Sequence, residues 1–121
     1  MSSSTTMPVL FVAHGAPPLL DDAPWKEELS VWGGALPKPK AILSLSAHWE
    51  NSPIAIGATE AIPLVYDFYG FPERYYAIQY RSPGAPEVAA RVRDLLRGND
   101  IAYVDDPKRG LDHGTYIPLM S

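Results

Sequence analysis

Apolar positions along this chain fall in short unbroken runs more than in alternation. Val9-Leu-Phe-Val-Ala13 is one run; Ala41-Ile-Leu-Ser-Leu-Ser-Ala47 is another, mostly apolar. Neither contains Gly or Pro, so both predict strands buried on two faces, the kind a parallel sheet uses. Ile54-Ala-Ile56 predicts a short third strand, Ala77–Tyr80 a fourth, and Ile101–Val104 a fifth after the tight Gly98-Asn99-Asp100 link. Two helical patterns lie between them. Trp25, Leu29 and Trp32 recur at i, i+4 and i+7, behind Asp21-Asp22 and a first-turn Pro24, with Gly33-Gly34 and Pro37 predicted to end the helix. From Pro86 to Arg97 the signal is clearer. Val88, Val92 and Leu95-Leu96 make an apolar stripe, Glu87 is spaced to pair with Arg91, and Gly98 follows as a stop. Strands alternating with helices predict an α/β fold with a largely parallel sheet flanked by helices.

At 121 residues one domain is expected. Residues 1–7 are expected to be a disordered tail and 8–121 a single α/β domain. The net charge of −4 comes without a basic run, which argues against nucleic acid as a partner. With no cysteine, disulfides, thiolate catalysis and thiolate metal ligation are excluded. The polar, uncharged start before a five-residue apolar run fits neither a signal peptide nor a membrane span, so a cytoplasmic protein is expected. The 13 prolines predict many turns and irregular connections. Tyr116-Ile-Pro-Leu-Met120 is an apolar run at the very end, where chains are usually polar and loosely held, so a truncated fold is expected.

The candidate chemistry lies in the three histidines, His14, His48 and His113. His14 and His48 each follow a predicted strand, and open α/β sheets gather their ligand sites at the carboxyl ends of strands. Neighbouring strands stand about 4.8 Å apart, so two imidazoles on adjacent strand ends can share one metal at about 2.1 Å each. Nitrogen donors without sulfur suit iron(II), zinc, manganese or copper. Two histidines and a carboxylate would suit a non-haem iron oxygenase, and three histidines with one open position a catalytic zinc. Glu50 and Asp112 are the acids near His48 and His113 in sequence. Plainer readings stand beside these. A histidine after a strand can be a turn or capping residue, and Gly110 and Gly114 can simply make turns. The aromatic stretch Tyr66 to Tyr76 reads as packing ahead of a ring-binding pocket. Arg91, Arg93 and Arg97 read as one solvated helix face.

Four segments occur in order: Phe11-Val-Ala-His-Gly-Ala-Pro17, Leu45-Ser-Ala-His-Trp-Glu50, Tyr66-Asp-Phe-Tyr-Gly-Phe-Pro-Glu73 and Arg109-Gly-Leu-Asp-His-Gly114. Together they resemble the class III extradiol ring-cleavage dioxygenases, in the 4,5-DOPA dioxygenase branch, from about Val9 to Leu119. The resemblance implies a non-haem divalent metal, typically iron(II) with zinc(II) the alternative, and a small aromatic diol and O2 as substrates. Carried over position by position, His14 and His48 match metal ligands. His113 matches an active-site histidine that contacts substrate or bound oxygen. No position is assigned to substrate binding.

Members of that family are longer, and their general acid–base histidine and third metal ligand lie in a second half that this chain lacks. The resemblance therefore implies an amino-terminal half, inactive or very weak alone, with the rest supplied by further chain or by a partner. Two other functions remain open. One is a small cobalt or iron chelatase acting on a tetrapyrrole, which also begins strand–His–Gly. The other is a half-domain that survives as a metal-binding or dimerising module, its uncovered apolar surface driving self-association.

Overall fold

A computed structural model describes residues 6–120, so residues 1–5 of the expected tail lie outside the described residues. The fold is α/β, with helices and a small parallel sheet among the described residues. Helix α1 (Ala23–Gly34) begins where expected, with the Asp22 carboxylate accepting from the Trp25 N–H at 3.1 Å as a cap. Gly33 and Gly34 lie inside its last turn. Strand β1 (Ile54–Ile56) precedes helix α2 (Pro86–Gly98), and strand β2 (Tyr103–Asp105) follows it. β1 and β2 pair in parallel, Ile54 beside Tyr103 and Ile56 beside Asp105. Parallel strands need a long crossover, and α2 lies within this one.

Of the predicted solvated arginine face, Arg91 and Arg97 are exposed and Arg93 is half-buried. Arg93 Nε donates to Asp105 Oδ1 at 2.9 Å, and Arg97 donates to the Tyr103 hydroxyl at 2.7 Å, so both hold α2 onto β2. Glu87 and Arg91 form no ion pair among the described residues; Arg97 pairs with Asp94 instead.

The predicted strands at 9–13 and 41–47 are also corrected, since neither segment has regular secondary structure. A strand needs a neighbour to take up its N–H and C=O groups. Neither of these has a ladder among the described residues, and Val9, Phe11 and Leu45 are at least 90% exposed. The sequence pattern of a doubly covered strand is present, and the cover is not. The predicted strand Ala77–Tyr80 gives way to a 3₁₀ turn, Glu73–Ala77, followed by irregular chain. A further 3₁₀ turn, Pro17–Asp21, lies between His14 and α1.

The core sits at the end of the chain. Helix α3 (His113–Leu119) carries Tyr116 and Ile117, both fully buried, and Leu64 packs with them. Neither α1 nor α2 has a buried residue, so their predicted apolar faces are only partly used; Trp25 alone of the α1 face reaches this cluster. The route into α3 is fixed by backbone bonds. Ala58 N–H donates to Arg109 O at 2.9 Å and Val65 N–H to Leu111 O at 2.8 Å. Residues 58–65 therefore run beside 109–111 and deliver α3 against the segment that carries His48.

Candidate functional site

The three histidines arrive from distant parts of the chain and meet. His14 precedes Gly15, whose φ of 61° is in the left-handed region that glycine adopts at no steric cost. His48 lies on a turn closed by the Trp49 N–H donating to Ser46 O at 3.3 Å. His113 opens α3. Ring centroids are 4.4 Å apart for His14 and His48, 4.1 Å for His48 and His113, and 5.2 Å for His14 and His113. One nitrogen from each ring lies within 4.8 Å of the other two. His113 is buried, His14 half-buried and His48 exposed, so the cluster is backed by protein on one side and open on the other.

Hydrogen bonds fix which nitrogens face inward. His14 Nδ1 is 2.8 Å from the Gly15 carbonyl, which can only accept, so Nδ1 carries the proton. Its Nε2 then faces His48 Nε2 at 3.0 Å. On the far side stands Asp67. Its Oδ1 accepts from His113 Nδ1 at 2.8 Å and from the His113 backbone N–H at 3.1 Å. Its Oδ2 is 3.9 Å from His48 Nδ1. Burial works against the charged Asp67 carboxylate, but the His113 side-chain and backbone hydrogen bonds outweigh it and hold the carboxyl below its usual range.

A second network locks the His48 segment to α3. Asp112 is 3% exposed. Its Oδ1 accepts from the Ser46 hydroxyl at 2.6 Å and its Oδ2 from Arg109 Nη2 at 2.9 Å. Ser46 Oγ also accepts the His48 N–H at 3.2 Å, and Ser44 and Thr115 share a hydroxyl bond of 2.9 Å. The Arg109 guanidinium lies 4.9 Å from the centre of the Trp49 ring, a cation–π contact beside His48. The two glycines flanking His113 make close approaches, not turns. A Cβ on Gly110 would collide with the Pro63 carbonyl, and one on Gly114 would stand 2.7 Å from Ser46 Oγ.

All three sequence-selected histidines are thus brought together. The neighbouring acids are not their partners: Glu50 is exposed, and the Asp112 side chain turns to Ser46 and Arg109. Asp67 was missed, although it is the one acid between Tyr66 and Phe71. Around it the aromatic side chains pack on one another, Phe68 against Tyr76 at 4.8 Å and Phe68 edge-on to His113 at 5.8 Å.

The donor set fits a divalent metal. Two nitrogens about 2.1 Å from one ion stand roughly 3 to 3.5 Å apart, and the His14 and His48 Nε2 atoms are 3.0 Å apart. Imidazoles with a nearby carboxylate and no thiolate suit the borderline first-row ions.

Known proteins resemble this chain over most of its length. The chain is 45% identical over 115 residues to the 4,5-DOPA dioxygenase extradiol of Beta vulgaris, covering 91% of this chain and 43% of that protein. It is 38% identical over 119 residues to the 4,5-DOPA dioxygenase extradiol of Escherichia coli (strain K12), covering 98% of this chain and 44% of that one. With Dioxygenase tasH of Hapsidospora irregularis the identity is 33% over 125 residues, covering 93% of this chain and 39% of the other. The chain spans less than half the length of these relatives. Residues 23–121 match the family described as the catalytic LigB subunit of aromatic ring-opening dioxygenase, and the chain belongs to that family.

Proposed function

We propose that this chain is the amino-terminal part, residues 8–121, of an extradiol dioxygenase domain that opens a catechol-type ring with O2 at a non-haem divalent metal. The observation that carries the reading is the convergence of His14, His48 and His113 from three separated segments onto one open-sided cluster. His14 and His48 would hold the metal, through the Nε2 atoms that lie 3.0 Å apart. When bound, iron(II) supplies the Lewis acidity and redox capacity that O2 chemistry needs; zinc, which has no redox chemistry, would fill the same donors without it.

This chain's own groups do part of the work. His113 contacts a substrate oxygen through Nε2, which is left to accept a hydrogen bond because its Nδ1 already donates to Asp67. The His113 ring is buried, with the Phe68 ring packed against it in a T-shaped contact at 5.8 Å. A DOPA-like catechol is the substrate suggested by the relatives' names; the class of small aromatic diols is what the site chemistry supports. The tetrapyrrole chelatase alternative loses ground, since the matches are to ring-opening dioxygenases.

The exposed apolar residues Val9, Phe11 and Leu45 support the view that the site is completed by more protein, from further chain or a second copy. The test is ring opening of a catechol with O2 and added iron(II). Little or no turnover is expected from the 121-residue chain, and turnover from the full reading frame that contains it. A metal-loaded full-length protein that opens no catechol would refute the proposal.

A further inference from the structure

We propose that Asp67 is the positioning residue of the histidine cluster, one carboxylate that sets the orientation and tautomer of His113 and steadies His48. The inference rests on the metal-site reading above and deepens it. A carboxylate can only accept, so the bond from His113 Nδ1 at 2.8 Å requires the neutral ring to carry its proton there. Nε2 is left with its lone pair, in a ring whose neighbours are the other two imidazoles. The same oxygen accepts the His113 backbone N–H at 3.1 Å, so main chain and ring are pinned to one point. The second oxygen faces His48 Nδ1 at 3.9 Å, and one side chain therefore touches or faces two of the three rings.

No other acid takes this place. Glu50 is exposed, and both Asp112 oxygens are engaged by Ser46 and Arg109. Asp67 is itself held in position. Val65, two residues earlier, is bonded to Leu111 O at 2.8 Å, and Phe68, next in sequence, lies edge-on against His113. A carboxylate behind a metal-facing imidazole orients it and raises its basicity. A purely structural role is the alternative: Asp67 could serve only to cap the first turn of α3 through the backbone N–H. The two roles separate experimentally, because a cap leaves the ring tautomer alone.

The experiment uses the 121-residue chain, first metal-free and then titrated with cobalt(II). Long-range proton–nitrogen NMR on wild type is expected to find His113 protonated on Nδ1 and bare on Nε2. Asp67→Asn keeps an acceptor for the backbone N–H but loses the charge and the second acceptor. Through loss of the charge facing His48 Nδ1, its cobalt(II) affinity is expected to fall, with Asp67→Glu recovering part of the loss. A wild-type His113 protonated on Nε2, or unchanged cobalt(II) affinity in Asp67→Asn, overturns the proposal. If Asp67→Asn fails to fold, the wild-type tautomer still decides. Failure of the metal-site reading is distinguishable, since it would appear as undiminished cobalt(II) binding in His14→Ala and His48→Ala, whatever the His113 tautomer.

Discussion

Replacing Gly114 with alanine tests whether α3 must press on the His48 segment as closely as the structure has it. An added Cβ would stand 2.7 Å from Ser46 Oγ, 3.0 Å from His48 Cδ2 and 3.2 Å from Asp112 Oδ1. None of these atoms yields easily. Ser46 Oγ is bonded to Asp112 and to the His48 N–H, and Asp112 is bonded to Arg109. Overpacking of this kind costs about 1–3 kcal/mol. Alanine in place of glycine inside a helix returns at most about 1 kcal/mol. A net loss of up to roughly 2 kcal/mol is expected from these two terms. Gly33, in α1, is the control, because a Cβ there meets nothing within 4 Å. Gly33→Ala should therefore gain a few tenths to about 1 kcal/mol. Urea unfolding of both variants, analysed with a common slope, measures the difference. If Gly114→Ala stabilises the protein as much as Gly33→Ala does, the tight seam between α3 and the His48 segment is wrong.

Three further outcomes are expected. Asp112→Ala strands the Arg109 guanidinium and the Ser46 hydroxyl, and should cost about 3 kcal/mol or more in urea unfolding, as loss of one partner from a buried pair does. Tyr116 is fully buried and its hydroxyl has no hydrogen-bond partner among the described residues, so Tyr116→Phe should raise stability by about 1 kcal/mol. Burial, then the nearby Asp67, Tyr66 and Asp112, push this phenol well above its ordinary value of 10.0. The folded state holds the proton more tightly, so stability is intact below pH 10 and falls as pH rises toward the folded value, a loss that Tyr116→Phe should remove from alkaline unfolding curves. Val9, Phe11 and Leu45 should drive concentration-dependent association in sedimentation, relieved by Phe11→Ser with Leu45→Ser; a monodisperse wild-type monomer would count against an uncovered face.

What the sequence revealed was local. Helix periodicity located α1 and α2, and a three-residue apolar run located β1. β2 was found from Ile101–Val104, although the strand begins two residues later, at Tyr103. The histidines stood out because few residue types can hold a metal. What it hid depends on distant partners. Residues 9–13 and 41–47 have the letters of buried strands, but a strand forms only where a neighbour and a cover are present. Asp67 lay among aromatic residues that read as packing, and only the fold brings it to His113, 46 positions away. Ser46 looked like an interruption in an apolar run, and its role as a bridge to Asp112 has no local signature. Gly110 and Gly114 suggested turns, because close approach between segments leaves the same letter in the sequence.

The central claim is that His14 and His48 share one cation. Anaerobic titration of the metal-free chain with iron(II) or cobalt(II), followed by metal analysis after desalting, tests it directly. One equivalent is expected on wild type, and almost none on His14→Ala or His48→Ala. A full equivalent retained by both variants would contradict the account.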